Sequence, residues 1–404
     1  MVPRHLEPKL RSAARKYPVV SLTGPRQSGK TTLVTAAFPK ASYASLETPE
    51  NRDFAAKDPK GFLRQFAGQV ILDEVQRAPD LFSYIQGIVD EKPTSGRFIL
   101  TGSHNFLLLQ RVSQTLAGRC AILHLLPFSR PELAGQRMMD LPAIGRTVPK
   151  PPAKAGRKPQ AGDLFETMFR GGYPRIHDRR IDPQDWLRNY CQAYVERDLR
   201  EILNIGDIEA FGRFLRLCAG RCGRLLDLSS LASDCGISHT TARRWLATLE
   251  ASFLVTLLRP HYRNFSKRLI KSPKLYFLDT GLLCYLLRVR SPEDLRLHAS
   301  RGAVFESWAV SEIVKNYANR GLEPDVYFWR DSQGHEVDLI IEDGPNLIPV
   351  EIKSGETFAS DFTAGLDYWR NLAGRNDAPA AIVYGGDDSY IRSGVAVMSW
   401  RQWG

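Results

Sequence analysis

Residues 19–34 read VVSLTGPRQSGKTTLV, and they constrain the fold more than any other stretch of the chain. An apolar run stops at Gly24, and a helix-like run begins at Lys30. Between them lies G-x-x-x-x-G-K-T, the spacing of a phosphate-binding P-loop. Its glycines let several backbone N–H groups face an anion beside a helix N-terminus. A glycine turn before an ordinary helix is the alternative, but strand, complete motif and helix in this order favour the P-loop.

The P-loop and a later acidic pair predict a site for ATP and Mg²⁺. We expect Lys30 to bind the β- and γ-phosphates and Thr31 to hold Mg²⁺. An apolar run at 69–72 leads into Asp73 and Glu74. Asp73 is expected to reach the Mg²⁺ through its water shell, and Glu74 to polarise the attacking water. The predicted nucleotide-binding residues are Gly24, Pro25, Arg26, Gln27, Ser28, Gly29, Lys30, Thr31, Thr32 and Asp73.

Three further polar residues are candidates for a role in catalysis beside Glu74. The apolar run 97–101 is followed by Ser103 and Asn105, and either side chain could sense the γ-phosphate from the end of a strand. A turn with a capping serine is the alternative. Arg119 immediately precedes the next apolar run, so it is a candidate arginine finger that acts in trans if protomers pack in a ring. An ordinary surface or salt-bridged arginine is the alternative.

Length and composition indicate a multidomain globular protein. The chain has 404 residues, of which 43% are hydrophobic and 25% are charged, so two to four domains are expected. The sequence has neither a run of eighteen apolar residues nor the apolar core of a signal peptide, which predicts a cytoplasmic protein without a membrane partner. Six scattered cysteines without a CxxC pair favour reduced thiols. In the first third, apolar runs alternate with helical segments, which predicts an α/β fold with a parallel sheet.

Positive charge is clustered in the middle of the chain. The formal net charge is +11, residues 149–180 carry eight Lys/Arg against three acids, and residues 251–278 carry six Lys/Arg and no acid. Residues 225–258 have the pattern of a helix-turn-helix with a wing strand, in which Gly236 forms the turn and Ser238 caps the second helix. We therefore expect phosphate contacts with DNA. Binding to protein, or packing on the ATPase core, is the alternative. The predicted DNA contacts are Thr240, Arg243, Arg244, Arg263, Lys267 and Arg268.

The last hundred residues contain a second set of acidic residues. A helix-like segment at 302–317 contains Glu306, and two predicted strands within 327–355 carry Asp338, Glu351 and Lys353. This ordered set resembles the PD-(D/E)xK nuclease superfamily. The resemblance implies that Asp338 and Glu351 hold one or two Mg²⁺ ions, that Glu306 assists, and that Lys353 orients or activates the attacking water. A related fold that serves only for binding or as a scaffold is the alternative.

Several motifs together resemble one group of prokaryotic AAA+ ATPases, which carry a C-terminal domain of unknown function and are related to the STAND-type and archaeal ATPases. These motifs are GPRQSGKTTL, VILDEVQRAPDL, FILTGSHNFLLL, LAGR and LPFS, followed by FRGGYP, YVERDL and SPKLYFLDTGLL. The likeness covers nearly the whole chain. It implies ATP binding, an AAA+ core and a restriction-endonuclease-like C-terminal domain.

From the motifs and the resemblance we divide the chain into five parts: an AAA+ P-loop ATPase domain (1–148), a basic Pro/Gly-rich linker (149–162), a helical lid or connector (163–215), a winged-helix-like domain (216–270) and a PD-(D/E)xK nuclease-like domain (271–404). The leading hypothesis is an ATPase that couples nucleotide binding and hydrolysis to DNA engagement, with further copies of the chain as candidate partners in a homo-oligomer. The alternatives are a nucleotide switch that recruits a protein partner and an ATP-gated, Mg²⁺-dependent nuclease.

Overall fold

Five parallel strands form a sheet in the first third of the chain. They are β1 (Val19–Thr23), β2 (Ser42–Ser45), β3 (Val70–Asp73), β4 (Phe98–Gly102) and β5 (Cys120–His124). The spatial order is β2-β3-β4-β1-β5, and all neighbouring pairs are parallel. Every residue of β1, β3 and β4 is buried, as expected where helices cover both faces of a parallel sheet. The loops after β1 and β3 therefore leave the same edge of the sheet, one strand apart.

The first helices pack on the two faces of this sheet. They are α1 (Glu7–Ala14), α2 (Lys30–Ala37), α3 (Pro49–Lys57), α4 (Pro59–Arg64) and α5 (Leu81–Glu91). The short helix α6 (Arg130–Ala134) follows β5. Leu10 of α1 and Leu33 of α2 share one apolar cluster with Leu22 of β1. Phe82 and Ile85 of α5 belong to a second cluster, which includes residues of β3 and β4.

A larger mixed sheet occupies the second half of the chain. Its strands are β6 (Val255–Pro260), β7 (Lys274–Phe277), β8 (Val326–Arg330), β9 (Glu336–Asp343), β10 (Asn346–Lys353), β11 (Ala381–Tyr384), β12 (Tyr390–Arg392) and β13 (Val395–Ser399), in the spatial order β12-β13-β11-β10-β9-β8-β6-β7. The two strands expected in 327–355 are β9 and β10, and β8 pairs with β9 as a third strand that was not predicted. Its sequence, VYFWR, is short and lacks the apolar–polar alternation that marks a half-exposed strand.

The remaining helices connect the two sheets or cover the second one. They are α7 (Leu164–Arg170), α8 (Pro174–Asp178), α9 (Pro183–Tyr190), α10 (Ile208–Gly220), α11 (Leu228–Cys235), α12 (His239–Ala251), α13 (Thr280–Leu286), α14 (Pro292–Leu297), α15 (Arg301–Arg320) and α16 (Ala364–Ala373). The longest is α15, and most of its side chains are buried, including charged Glu312 and Lys315. The Lys315 ammonium donates to the backbone oxygen of Phe128, 3.2 Å away, so α15 is bonded directly to the segment that follows the first sheet.

The structure is a computed structural model that describes residues 2–103, 115–148, 162–193, 208–261 and 271–404. Four residues singled out from the sequence, Asn105, Arg263, Lys267 and Arg268, lie outside these ranges, as does the linker except for its last residue. Within the described ranges, no helix combines the length and the apolar character that a membrane crossing requires.

Candidate nucleotide-binding site

The P-loop leaves β1 through glycine conformations that other residues rarely adopt. Gly24 has a φ of +151°, and a Cβ atom there would lie 2.1 Å from the backbone oxygen of Leu125. Gly29, with a φ of +92°, is the N-cap residue of α2. The glycines at both ends of the motif therefore let the chain turn tightly from the strand into the helix. The turn places the loop at the N-terminus of α2, where backbone N–H groups favour an anion.

Lys30 is buried within the loop. Its ammonium donates to the backbone oxygens of Gly24 (3.0 Å) and Pro25 (2.9 Å). Burial lowers the pKa of Lys30 to about 8, although the carboxylates of Glu74 and Asp73 favour its charged form. A phosphate group near this ammonium would favour the charged form further.

Asp73 is the centre of a hydrogen-bond network at the end of β3. The Thr31 hydroxyl donates to both carboxylate oxygens, at 3.0 and 3.2 Å, and the Tyr43 hydroxyl donates to one of them at 2.8 Å. The Thr101 hydroxyl donates to the other oxygen. Burial, followed by the bond to Asp73, raises the pKa of Tyr43 to about 12. A hydroxyl beside a carboxylate is the oxygen donor set that Mg²⁺ prefers, so Thr31 and Asp73 fit the ion that the P-loop implies.

Glu74 is held in a fixed orientation beside Asp73. Its backbone is left-handed, with a φ of +55°, which costs free energy in a residue with a side chain. Its carboxylate accepts hydrogen bonds from the Ser103 hydroxyl (2.8 Å), from the Ser103 backbone N–H (3.3 Å) and from Gln76. The structure therefore places Ser103 on the candidate catalytic carboxylate, where its hydroxyl can orient Glu74.

The P-loop lines a cavity of about 890 Å³ that also contains residues the sequence analysis missed. Arg4 contributes from the N-terminal segment, and its guanidinium donates to the backbone oxygen of Ser28 at 2.9 Å. The segment around α8 contributes Pro174, Arg175, His177, Asp178, Arg179 and Arg180, and the Arg179 guanidinium lies 3.6 Å from the Asp178 carboxylate. Basic side chains from outside the sheet thus face the same cavity as the P-loop, an arrangement suited to a polyphosphate.

Arg119 lies at the opposite edge of the sheet from the P-loop of its own chain. It precedes β5, which runs parallel to β1, so about five strand residues, roughly 16 Å, separate the two edges. Its guanidinium donates to both carboxylate oxygens of Asp90 and to the backbone oxygen of Ala117. The structure does not bring Arg119 to the cavity of the same chain.

The acidic residues of the C-terminal part meet in a second location, here called the carboxylate pocket: Glu306, Glu336, Asp338 and Glu351. Oxygens of Glu306, Glu336 and Asp338 lie within 4.8 Å of one another. The Glu351 carboxylate accepts from the Lys353 ammonium at 2.8 Å, and that ammonium is 3.9 Å from Asp338. Burial, before any neighbouring charge, raises the pKa of Glu306 to about 7 and that of Glu351 to about 9. Glu336 was not among the predicted residues.

The predicted DNA contacts that the structure describes lie on one exposed face. Ser238 caps α12, its hydroxyl oxygen accepting from the Thr241 backbone N–H. Thr240, Arg243 and Arg244 are exposed, whereas Ala242, Trp245 and Leu246 of the same helix are buried. The polar face of this amphipathic helix thus carries two guanidinium groups.

A parallel sheet with a P-loop after its first strand, and an Asp–Glu pair at the same sheet edge, defines a nucleotide-binding ATPase domain. Residues 16–134 match the family model described as "AAA domain", which places this ATPase domain in the AAA class. Residues 161–293 and 301–403 match two models described as "Domain of unknown function", DUF8612 and DUF4143 respectively.

Two mycobacterial proteins share most of the chain. The "Uncharacterized protein Rv2008c" of Mycobacterium tuberculosis and the "Uncharacterized protein Mb2031c" of Mycobacterium bovis are each 32% identical over 354 residues, 86% of this chain and 73% of the relative. The chain belongs to the family of these proteins. Among solved structures, the Walker-type ATPase PABY2304 of Pyrococcus abyssi is 14% identical, with a TM-score of 0.43 over 71% of this chain and 96% of that one.

Proposed function

We propose that this protein hydrolyses ATP at the P-loop and couples its nucleotide state to DNA through the exposed face of α12. The observation that carries the proposal is the set of contacts around Asp73 and Glu74. Thr31 and Asp73 offer oxygen donors, Lys30 lies within the loop, and Glu74 is oriented by Ser103. Together these side chains provide charge stabilisation and water activation, the two contributions that phosphoryl transfer requires of a protein.

Each of these residues has a distinct proposed role. Lys30 contacts the β- and γ-phosphates, while Thr31 and Asp73 would hold Mg²⁺, which supplies charge neutralisation when bound. Glu74 accepts a proton from the attacking water or aligns it. Ser103 is a positioning residue, because it acts on the water through Glu74.

Arg119 is proposed to act on the site of a neighbouring protomer. Its place at the sheet edge opposite its own P-loop, in an exposed position, suits a contact between copies in a ring. In such an assembly the guanidinium would exchange its partner Asp90 for the transferred phosphoryl group of the neighbour.

Coupling is proposed to pass through Gly172, just before the basic segment that lines the cavity. The Gly172 backbone N–H donates to the Asp279 carboxylate at 2.7 Å, and its oxygen accepts from the Phe128 N–H at 2.7 Å. Asp279 follows β7, which pairs with β6, and β6 follows α12. A shift of the basic segment toward bound phosphates would thus be transmitted to the hairpin beside α12.

The DNA-binding proposal rests on the charge and exposure of the α12 face. We interpret α11, Gly236, α12 and the β6–β7 hairpin as a winged helix, whose second helix carries Arg243 and Arg244 outward. Residues 262–270, in the basic stretch between β6 and β7, lie outside the described residues. DNA held mainly by such phosphate contacts dissociates as salt is raised.

The test is fluorescence anisotropy with labelled double-stranded DNA at about 0.15 M salt, where weak surface electrostatics are screened. We expect Arg243→Glu/Arg244→Glu to weaken binding about tenfold or more. Arg64→Glu/Arg137→Glu is the matched control, because it changes two exposed arginines by the same charge elsewhere. An equal loss of DNA affinity in both double variants would show that the effect comes from net charge and not from the α12 face. A wild type that does not bind DNA would instead favour the protein-partner switch.

A further inference from the structure

The carboxylate pocket has the convergence of a cation site. Glu306 on α15 and Glu336 and Asp338 on β9 direct one oxygen each to a common point, within 4.8 Å of one another. Glu336 and Asp338 are two residues apart on the same strand, so the alternation of a strand puts them on one face. Oxygens at this spacing attract a positive charge strongly, because burial removes the water that would otherwise solvate them.

A positive charge from the chain itself already lies at this point. The Lys274 ammonium donates to Glu306 Oε1 at 3.0 Å and also pairs with a Glu336 oxygen. Lys274 is buried at the start of β7, and its ammonium lies 5.6 Å from the centroid of the Phe328 ring. Tyr276, on the same face of β7, donates its hydroxyl to the same Glu306 oxygen.

Every carboxylate of the pocket is in contact with at least one internal donor. Glu336 also pairs with the Arg330 guanidinium at 2.8 Å, and Asp338 accepts from the Ile352 backbone N–H at 2.8 Å. Burial alone would lower the pKa of Lys274, but the carboxylates of Glu306, Asp338 and Glu336 hold it above its ordinary value. The ammonium therefore keeps its charge.

A divalent ion at the same point would meet this ammonium as a like charge. Mg²⁺ also requires near-octahedral coordination and usually keeps several waters. The end of the lysine side chain instead contacts two of the three carboxylates, Glu306 and Glu336. The residues present around Glu306 and Asp338 thus do not fit the Mg²⁺ that the nuclease resemblance implies there.

We propose that Lys274 is the built-in cation of the carboxylate pocket, and that Glu306 and Glu336, beside Asp338, bind this ammonium in place of a divalent metal. The pocket is then an internal ion network that ties β7 to α15 and β9. Removal of the ammonium leaves three converging carboxylates, which is the donor set of a divalent-cation site.

The experiment measures Mn²⁺ binding to the full chain without nucleotide, by electron paramagnetic resonance and calorimetry. We expect no site in the wild type that depends on Asp338 at about 1 mM Mn²⁺. Lys274→Met keeps the length of the side chain without its charge, and we expect it to gain one Mn²⁺ site. That site should disappear in Lys274→Met/Asp338→Asn.

A second readout separates metal binding from loss of structure. Mn²⁺ should raise the melting temperature of Lys274→Met by more than that of Lys274→Met/Asp338→Asn, because only the first variant holds the additional ion in its folded state. An Asp338-dependent Mn²⁺ site in the wild type would overturn the proposal, as would a folded Lys274→Met protein that gains no site. If Lys274→Met does not fold, the wild-type measurement, with Asp338→Asn as its control, decides alone. The experiment omits ATP and DNA, so its outcome is independent of the proposed function.

Discussion

Replacing Glu74 by glutamine should separate ATP hydrolysis from ATP binding. The amide keeps the shape of the side chain, and its oxygen can still accept from the Ser103 hydroxyl, which lies 2.8 Å from the carboxylate. What is lost is the negative charge and the proton-accepting oxygen. A positioned base contributes about 10²–10⁴ in rate, which corresponds to roughly 3–5 kcal/mol of barrier. We expect the turnover number of Glu74→Gln to fall by this factor, with nucleotide affinity nearly unchanged.

A graded control comes from Ser103→Ala. This change removes the hydroxyl bond to Glu74 but keeps the backbone N–H, which lies 3.3 Å from the same oxygen. One such bond is worth about 1 kcal/mol, so we expect roughly a fivefold loss in turnover and little change in KM. The assays are phosphate release for turnover and fluorescent-nucleotide titration for affinity. Turnover of Glu74→Gln within about threefold of the wild type would refute the assignment of Glu74 as the base.

Three other predictions follow from individual contacts. Because the pKa of Lys30 is lowered to about 8, roughly half of the Lys30 side chains are neutral at pH 8, and ATP binding at this pH should take up about 0.5 proton per site. Calorimetry in buffers of different ionisation enthalpy measures this proton uptake. A binding enthalpy that is the same in all buffers would contradict the prediction. Asp279→Ala leaves the N–H groups of Gly172 and Leu282 without their carboxylate acceptor, so urea unfolding should show a loss of about 1–3 kcal/mol in the free energy of unfolding. An unchanged urea midpoint would contradict a stabilising contact between Asp279 and Gly172. Arg119→Ala should lower turnover by about 10³, and mixing it with Glu74→Gln subunits should restore part of it if the arginine acts in trans; absence of restoration would contradict that role.

The P-loop could be predicted from the sequence because its chemistry is local. Glycines at fixed offsets, a lysine and a hydroxyl residue all lie within one turn between a strand and a helix. Asp73 and Glu74 could be predicted equally well, because residues that follow a buried strand lie at the edge of the sheet. Ser103 was predicted near the phosphate, and in the structure its hydroxyl donates to the candidate catalytic residue Glu74.

Residues contributed by tertiary structure could not be found in this way. Tyr43 reaches Asp73 only because β2 pairs with β3 in a particular register. Arg4 and Arg175 reach the cavity from segments far apart in the chain. Lys274 meets Glu306 and Glu336 because β7 and β9 belong to one sheet and α15 packs on β7, which no spacing in the sequence encodes.

Glu336 is different, because the signal was present in the sequence. The alternation that puts Asp338 on one face of β9 puts Glu336, two residues earlier, on the same face. Following the face of β9 that carries Asp338 one side chain further toward the start of the strand would have predicted Glu336. The position of Arg119 also follows from the sequence, because a residue that precedes a strand of a parallel sheet lies at the sheet edge opposite the P-loop.

The most direct test of the central proposal is ATP hydrolysis by the purified protein and by Lys30→Ala, with and without double-stranded DNA at about 0.15 M salt. The account predicts turnover that is abolished in Lys30→Ala and changed severalfold by DNA in the wild type, since coupling between two sites is typically 5–150-fold. Equal hydrolysis by both proteins would contradict the P-loop site. Lys30-dependent turnover that ignores DNA would contradict the coupling alone.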